Sequence, residues 1–349
     1  MSFPSIQIAQ KLNPNKSRLF IGAYGFEDRR CGWSNYQKEQ GKILKSAILF
    51  KYVRPKGDNK IIEIKKSLNK IGILRPIEIN YDVMEPSNIE NNIRKKLKNV
   101  LDGIEEVIVD ISTMTKLSIL VCLCKLVNFN GTLRIIYTEA KDYAPTKKEY
   151  EEYKESMKKI AKFPSQGFET IIRVKCLSSI RMQGQPVTMI AFTSFNEQLI
   201  SHMMGTINPH RLLFINGRPP RKDFSWREIA TYEIYKELIE EYPAGNPINK
   251  EGLLERVAST LDYKDTIDNI NEIYNKYGNH ERIICTATGS KMQTVGLFFS
   301  KMLHPDIHIE YPTPDSYFVK RTAEGIQQVH EIVIKHFSEF IKNERLKIK

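Results

Sequence analysis

Two stretches of the chain set hydroxyls and a lysine against the start of an apolar run. Residues 286–291 read TATGSK and lead into MQTVGLFFSKML, while residues 110–116 read DISTMTK and lead into LSILVCLCKLV. A lysine, hydroxyls and backbone N–H groups at a helix N-terminus suit an anion, because the helix dipole and its free N–H groups favour negative charge there. Thr288, Gly289, Ser290 and Lys291 form one candidate set of ligand contacts; Ser112, Thr115 and Lys116 form the other. Ser and Thr are also the favoured N-caps of any helix, so the hydroxyls alone do not require a ligand. The lysines add a second reason: a helix start disfavours a cation, yet both stretches carry one at the same place.

Three more stretches carry residue types with chemical use. GAYGFEDRR (22–30) and FTSFNEQ (192–198) each follow an apolar run and place an acid one or two residues after an aromatic: Phe26 with Glu27, and Phe195 with Glu197. An acid there can accept hydrogen bonds from ribose hydroxyls and an aromatic can stack on a base, though the same residues also plug a sheet end and start a helix. GRPPRKDFSWRE (217–228) gathers Arg218, Arg221, Lys222 and Arg227 around Trp226, with a counterpart in VRPKGDNK (53–60) that has Arg54, Lys56 and Lys60 but no aromatic. Arginine forks suit phosphate and a tryptophan can stack on a base or on arginine; the two prolines also make a rigid turn. Complete phosphate-binding, dinucleotide and nucleophile-elbow motifs are absent. Pro305 separates His304 from His308, Cys122 and Cys124 face apart on a helix, and Glu63-Ile64-Lys65 is a chance-level fragment of a nuclease motif, so neither a metal nor a cofactor is implied.

The elements that must carry these loops repeat. In the first half the order is RLFIGAYGFEDR, SAILFKYVRPKGD, IEINYDVMEP, the helical NIENNIRKKLKNVL, EVIVDISTMTK, the helical LSILVCLCKLV, and LRIIYTEAKDY. The second half follows with VTMIAFTSFNEQ, RLLFINGRPPRKD, RVASTLDYKD, TIDNINEIYNKYG, RIICTATGSK, MQTVGLFFSKML and IHIEYPTPDSY. Arg54-Pro55 pairs with Arg218-Pro219, Thr115-Lys116 with Ser290-Lys291, and Tyr137-Thr138 with Tyr311-Pro312. Continuous apolar strands alternating with helices predict parallel sheets covered on both faces. The expected class is α/β, with two tandem Rossmann-like parallel-sheet units related by internal duplication, a helical and β connector, and a C-terminal helix. The boundaries expected are 1–145, a connector at 146–186 beginning with a charged helix over 146–162, and 187–349, closed by a helix over 322–345 whose apolar face holds Ile326, Val329, Ile332, Val333, Phe337 and Phe340.

The 349 residues carry 53 basic and 41 acidic side chains, a formal net charge of +12. Roughly 30 of the basic and 20 of the acidic residues fall in the first 170 positions, so most of the excess lies there. A basic surface favours anionic partners, and it also arises by default in a lysine-rich chain. No apolar run approaches the length that crosses a bilayer, and MSFPSIQIAQKLNPNKS has no secretory pattern, so neither a membrane nor secretion is expected. Five cysteines, an odd number with several in apolar runs, fit a reduced cytoplasmic protein.

With its TATGSKMQ (286–293) and, more loosely, DISTMTKLS (110–118), each following a fourth strand, the chain resembles the CRISPR-associated Rossmann fold (CARF) domains, ligand sensors of prokaryotic antiviral systems. In that family two such domains face each other across a dyad and bind a cyclic oligonucleotide between them. The resemblance implies Thr288, Gly289, Ser290 and Lys291 as ligand contacts, with Ser112, Thr115 and Lys116 opposite. The first loop departs from the pattern: it lacks the glycine and begins with Asp110, which would repel a phosphate if it faced the pocket. No nuclease or protease domain follows, which implies a separate effector protein as partner. The expectation is a nucleotide-sensing, signalling subunit that binds an anionic nucleotide between two halves. Two alternatives stand beside it: an enzyme that hydrolyses or cleaves a nucleotide at the same cleft, with Glu27 or Asp110 as base, and a nucleic-acid-binding subunit using the basic N-terminal half.

Overall fold

The computed structural model describes residues 2–53, 61–156, 165–317 and 323–348. The chain forms two compact units, one from Met1–Tyr143 with Ala323–Lys349 and the other from Ala144–Thr322. Arg54, Pro55, Lys56 and Lys60, and the later part of the expected charged helix, lie outside the described residues.

In the first unit five parallel strands follow the apolar runs: β1 (Arg18–Ala23), β2 (Ser46–Tyr52), β3 (Ile77–Tyr81), β4 (Glu106–Asp110) and β5 (Thr132–Glu139). Their order across the sheet is β3-β2-β1-β4-β5. The central β1 and β4 are buried at every position, which is why their sequences are apolar without alternation. Helix α1 (Pro86–Val100) buries Ile89, Ile93 and Leu97, four residues apart on one face, each contributing about 1.5–3 kcal/mol by burial. Helix α2 (Lys116–Leu126), after β4, is buried along most of its length. Leu19 pairs with Val107, and Phe20 with Ile108, so β1 and β4 run side by side in the middle of the sheet. The order reverses between them, and the loops beyond their carboxyl ends flank that switch point, where open α/β sheets bind ligands.

The second unit repeats the plan with β6 (Val187–Phe192), β7 (Arg211–Arg218), β8 (Val257–Ser259), β9 (Arg282–Thr286) and β10 (His308–Thr313). Its order is β8-β7-β6-β9-β10, again third-second-first-fourth-fifth and again parallel. Helices α3 (Trp226–Glu241), α4 (Tyr263–Tyr277) and α5 (Lys291–Leu303) follow β7, β8 and β9. The chain is thus an α/β protein of two tandem Rossmann-like units. Of the connector, Lys147–Tyr153 is helical behind a Thr146/Glu149 capping box, and Thr170–Ile172 joins the second sheet antiparallel to β10.

The C-terminal segment differs from its sequence expectation. Instead of one helix over 322–345 it forms a strand, Gln328–Ile334, and then a helix, Phe337–Leu346. The strand runs antiparallel to β5, and Gln7–Ile8 pairs on its outer edge, so residues expected with 187–349 complete the first unit's sheet. QVHEIVI is rich in β-branched residues, which favour a strand with a sheet edge to pair with. Ile326, placed on the apolar face of the expected helix, is 44% exposed. Glu331 of this strand is buried and meets Arg134 at 2.6 Å, while Arg134 and Arg18 converge on Glu106 at 2.9 and 2.5 Å. Burial alone would raise the Glu106 carboxyl, but the two arginines hold it below its ordinary value.

Candidate functional site: the carboxyl-edge loops

In the first unit the turn after β4 is built from its own side chains. Asp110 is 4% exposed and faces inward: its Oδ1 accepts the backbone N–H of Ser112 at 3.0 Å and the Ser112 hydroxyl at 2.5 Å. The same Ser112 Oγ accepts the Thr138 N–H at 2.8 Å, tying the turn to β5. The carboxylate that would repel a phosphate is therefore spent on the loop's shape, and fully buried Ser112 is a structural bridge. Thr115 is the N-cap of α2, its Oγ1 accepting Ser118 N–H at 3.1 Å. Two tyrosines that the sequence reading missed fasten this cap. The Tyr52 hydroxyl accepts Thr115 N–H at 2.9 Å and donates to Thr113 O at 3.0 Å, and the Tyr81 hydroxyl accepts from Thr115 Oγ1 at 2.9 Å. Lys116 is the first residue of α2 and half-buried, and burial lowers its pKa to about 8.

The turn after β9 reaches the same end by other means. Ser290 is the N-cap of α5 in a full capping box, accepting Gln293 N–H at 3.0 Å while Gln293 Oε1 accepts Ser290 N–H at 2.7 Å. The Ser290 hydroxyl donates to Thr260 O at 2.9 Å, and the Gln293 amide to Ala258 O at 3.2 Å, fixing the turn to the end of β8. A Cβ on Gly289 would lie 2.4 Å from Gln293 Oε1 and 3.0 Å from Phe192 Cβ, so a side chain there would push the Gln293 amide out of the capping box. Thr288 is 2% exposed and both accepts from and donates to the Phe192 backbone, at 3.2 and 2.7 Å. Its hydroxyl ties the loop after β9 to the end of β6. Lys291 opens α5 half-buried, the counterpart of Lys116.

The loops after the first strands are more closed than expected. Half-buried Glu27 accepts from Arg29 Nε at 2.7 Å; Phe26 beside it is half-buried. Burial opposes the Arg29 charge, but the Glu27 carboxylate outweighs it and holds the guanidinium above its ordinary value. Phe195 is buried against Trp226, and Glu197 lies at the N-cap of the helix Gln198–Ile207, accepting Ser201 Oγ at 3.2 Å.

The basic loop 217–228 is packed on its own aromatic and acidic residues. Trp226 is 6% exposed, stacked on Tyr150 at 4.8 Å and packed with Phe195, so its ring belongs to the core and presents no face to a base. Arg218 makes a bidentate pair with Glu228 at 2.8 Å on both arms, Arg221 pairs with Asp223 at 2.5 Å, and Arg227 donates to Pro145 O at 2.8 Å. Of the four basic residues Arg227 lies over the Trp226 ring, its guanidinium carbon 5.2 Å from the ring centre and 4.6 Å from that of Phe195, while Arg218 and Arg221 turn to carboxylates of their own. Beneath it lies buried Asn216, whose Oδ1 accepts from Thr193 Oγ1, Thr231 Oγ1 and Gly217 N–H at 2.5, 2.8 and 3.0 Å. An asparagine interrupting the apolar run RLLFING was the signal that could have found it.

Among the described residues no group of three His, Cys, Asp or Glu side chains could hold a metal ion, and no helix is long and apolar enough to cross a membrane. Fold and loops together define a tandem Rossmann-like protein with a lysine-bearing helix start beyond the fourth strand of each unit. No family model matches the sequence, and no curated protein does. Similar solved structures include a type III CRISPR defence DNA nuclease activated by cyclic oligoadenylate (8% identity, TM-score 0.46, spanning 88% of this chain and 68% of that one). Another is Can2 from Sulfobacillus thermosulfidooxidans in complex with cyclic tetra-adenylate (9%, 0.28, 84% and 95%). A third is UDP-GlcNAc 2-epimerase from Neisseria meningitidis (8%, 0.25, 95% and 100%). At these values the likenesses carry no argument about this chain.

Proposed function

We propose that the chain is a CARF-like, nucleotide-sensing subunit of a prokaryotic antiviral defence system, acting in the cytoplasm and signalling to a separate effector protein. The observation that carries this reading is the repeated arrangement of fourth strand, hydroxyl N-cap and half-buried lysine as first helical residue, Thr115-Lys116 in one unit and Ser290-Lys291 in the other. The common strand order also supports an origin of the two units by internal duplication. The anion seats are the first turns of the two helices, where the dipole favours a phosphate and each lysine supplies a full charge. Glu27, in the loop after β1, is the acceptor for a ribose hydroxyl. The enzymatic alternative draws less support, because the carboxylates of Asp110 and Glu27 are engaged by Ser112 and Arg29.

The test is equilibrium binding of ATP, cyclic AMP and cyclic tetra-adenylate to the wild-type protein and to Lys116→Ala and Lys291→Ala. Each substitution should weaken the nucleotide that binds by roughly 10–100-fold, the worth of a charge-assisted contact. Equal affinity in wild type and both variants would reject the site, and conversion of the bound nucleotide during the assay would favour the enzyme.

A further inference from the structure

The loop after β1 does more than end a strand. Arg29, 5% exposed, donates from Nε to Glu27 at 2.7 Å and from NH1 to the Tyr137 hydroxyl at 3.2 Å and Thr138 O at 3.5 Å. Its guanidinium carbon also lies 5.6 and 5.7 Å from the ring centres of Tyr137 and Tyr143, within cation–π range. The two tyrosine hydroxyls meet at 3.1 Å, and that of Tyr143 accepts Ala140 N–H at 2.9 Å.

Tyr143 belongs to a short ribbon, Asp142–Tyr143 paired antiparallel with Ala323–Glu324. The ribbon continues through Lys141 N–H to Glu324 O at 3.1 Å and Gln327 N–H to Glu139 O at 2.9 Å. Its second strand is also pinned by the first-strand loop, Gly325 N–H donating to Asp28 Oδ2 at 3.3 Å. The chain leaves the first unit after Tyr143 and returns at Ala323, so the described ends of both passages are these two strands. One loop, Phe26–Cys31, thus grips the exit and the re-entry together.

We propose that Glu27 and Arg29 form a coupling element, in which the first-strand loop and the exit ribbon of the first unit hold or release as one body. For its trigger this rests on the reading of Glu27 as a ligand-facing group under Proposed function; the coupling rests on the contacts alone. A group that donates hydrogen bonds to Glu27 competes with Arg29, and a loosened Arg29 gives up Tyr137, Thr138 and its place over Tyr143. A population shift needs such a differential contact between two states.

Amide hydrogen exchange on the ligand-free full chain tests this in wild type, Glu27→Gln and Arg29→Lys. Glu27→Gln keeps shape and removes the charge; Arg29→Lys keeps the charge and removes the fork. Both should accelerate exchange at Lys141 and Gly325 by roughly tenfold while leaving Val109 and Ile135 in β4 and β5 at wild-type rates. Wild-type rates at the ribbon in Glu27→Gln would overturn the coupling, and so would acceleration spread evenly into β4 and β5. No nucleotide enters the experiment, so its failure is distinct from failure of the sensing reading.

Discussion

Lys116 meets two opposed demands. Burial disfavours its charge and brings its pKa to about 8, while a bound phosphate would restore the charged form. Because the anion binds the protonated lysine, affinity should be flat below pH 8 and fall up to tenfold per pH unit above it, as pH-dependent titration calorimetry would show. The stability consequence has the opposite sign. A lysine with a lowered folded pKa burdens the fold fully below pH 8, and the burden lifts as the pH rises from there toward the ordinary lysine value. Lys116→Met should therefore raise the Tm at pH 7, by roughly 2–4 °C for each kcal/mol relieved, while nucleotide affinity drops. In the other turn, Ser290→Ala should cost about 1 kcal/mol, read by chemical denaturation, as the capping box opens. The lysines and caps were legible because a helix start has a local signature. The roles of Trp226, Arg218 and Arg221 were not, since closeness along a loop says nothing about which partner a side chain turns to.

At the scale of elements, both sheets are held by buried polar groups as well as by apolar area. Asn216 serves three donors with one oxygen, and Asn216→Leu would strand the Thr193 hydroxyl in the interior, while Thr231 keeps Arg227 O as acceptor at 2.9 Å. The expected cost is about 2–4 kcal/mol by thermal unfolding, against under about 1 kcal/mol for an exposed site such as Lys222→Ala. In the first unit Arg134→Ala would leave Glu106 and Glu331 short of a counter-charge, at about 3–5 kcal/mol. The lowered Glu106 pKa sets the pH window. Its contribution is present above the ordinary glutamate value of about 4.3 and is lost as the pH falls through the lower folded value. An acid melt followed by circular dichroism should show the wild type losing this margin and Arg134→Ala, which keeps Arg18 on Glu106, starting from a smaller one.

At the scale of the whole molecule, each unit is a parallel sheet with its own antiparallel addition, and the first borrows its addition from the far end of the chain. Truncation after Thr322 would uncover the β5 edge, expose Ile135 and leave Arg134 without Glu331. The truncated chain should lose native near-ultraviolet circular dichroism in its first unit or fail to fold, whereas removal of Lys347–Lys349 alone should be nearly neutral. By itself the sequence determined the ten parallel strands, their repeated order and the lysine-bearing helix starts, because apolar runs, caps and turns are written within a few neighbouring residues. Only the tertiary structure decided the fate of Gln328–Ile334, the inward turn of Asp110, the burial of Trp226 and the tyrosine clamp on Thr115. Asp110 turns to Ser112, two residues on, but Ser112 is held by Thr138 and the other three features depend on partners distant in sequence; a β-branched segment becomes a strand only where an open sheet edge receives its backbone hydrogen bonds.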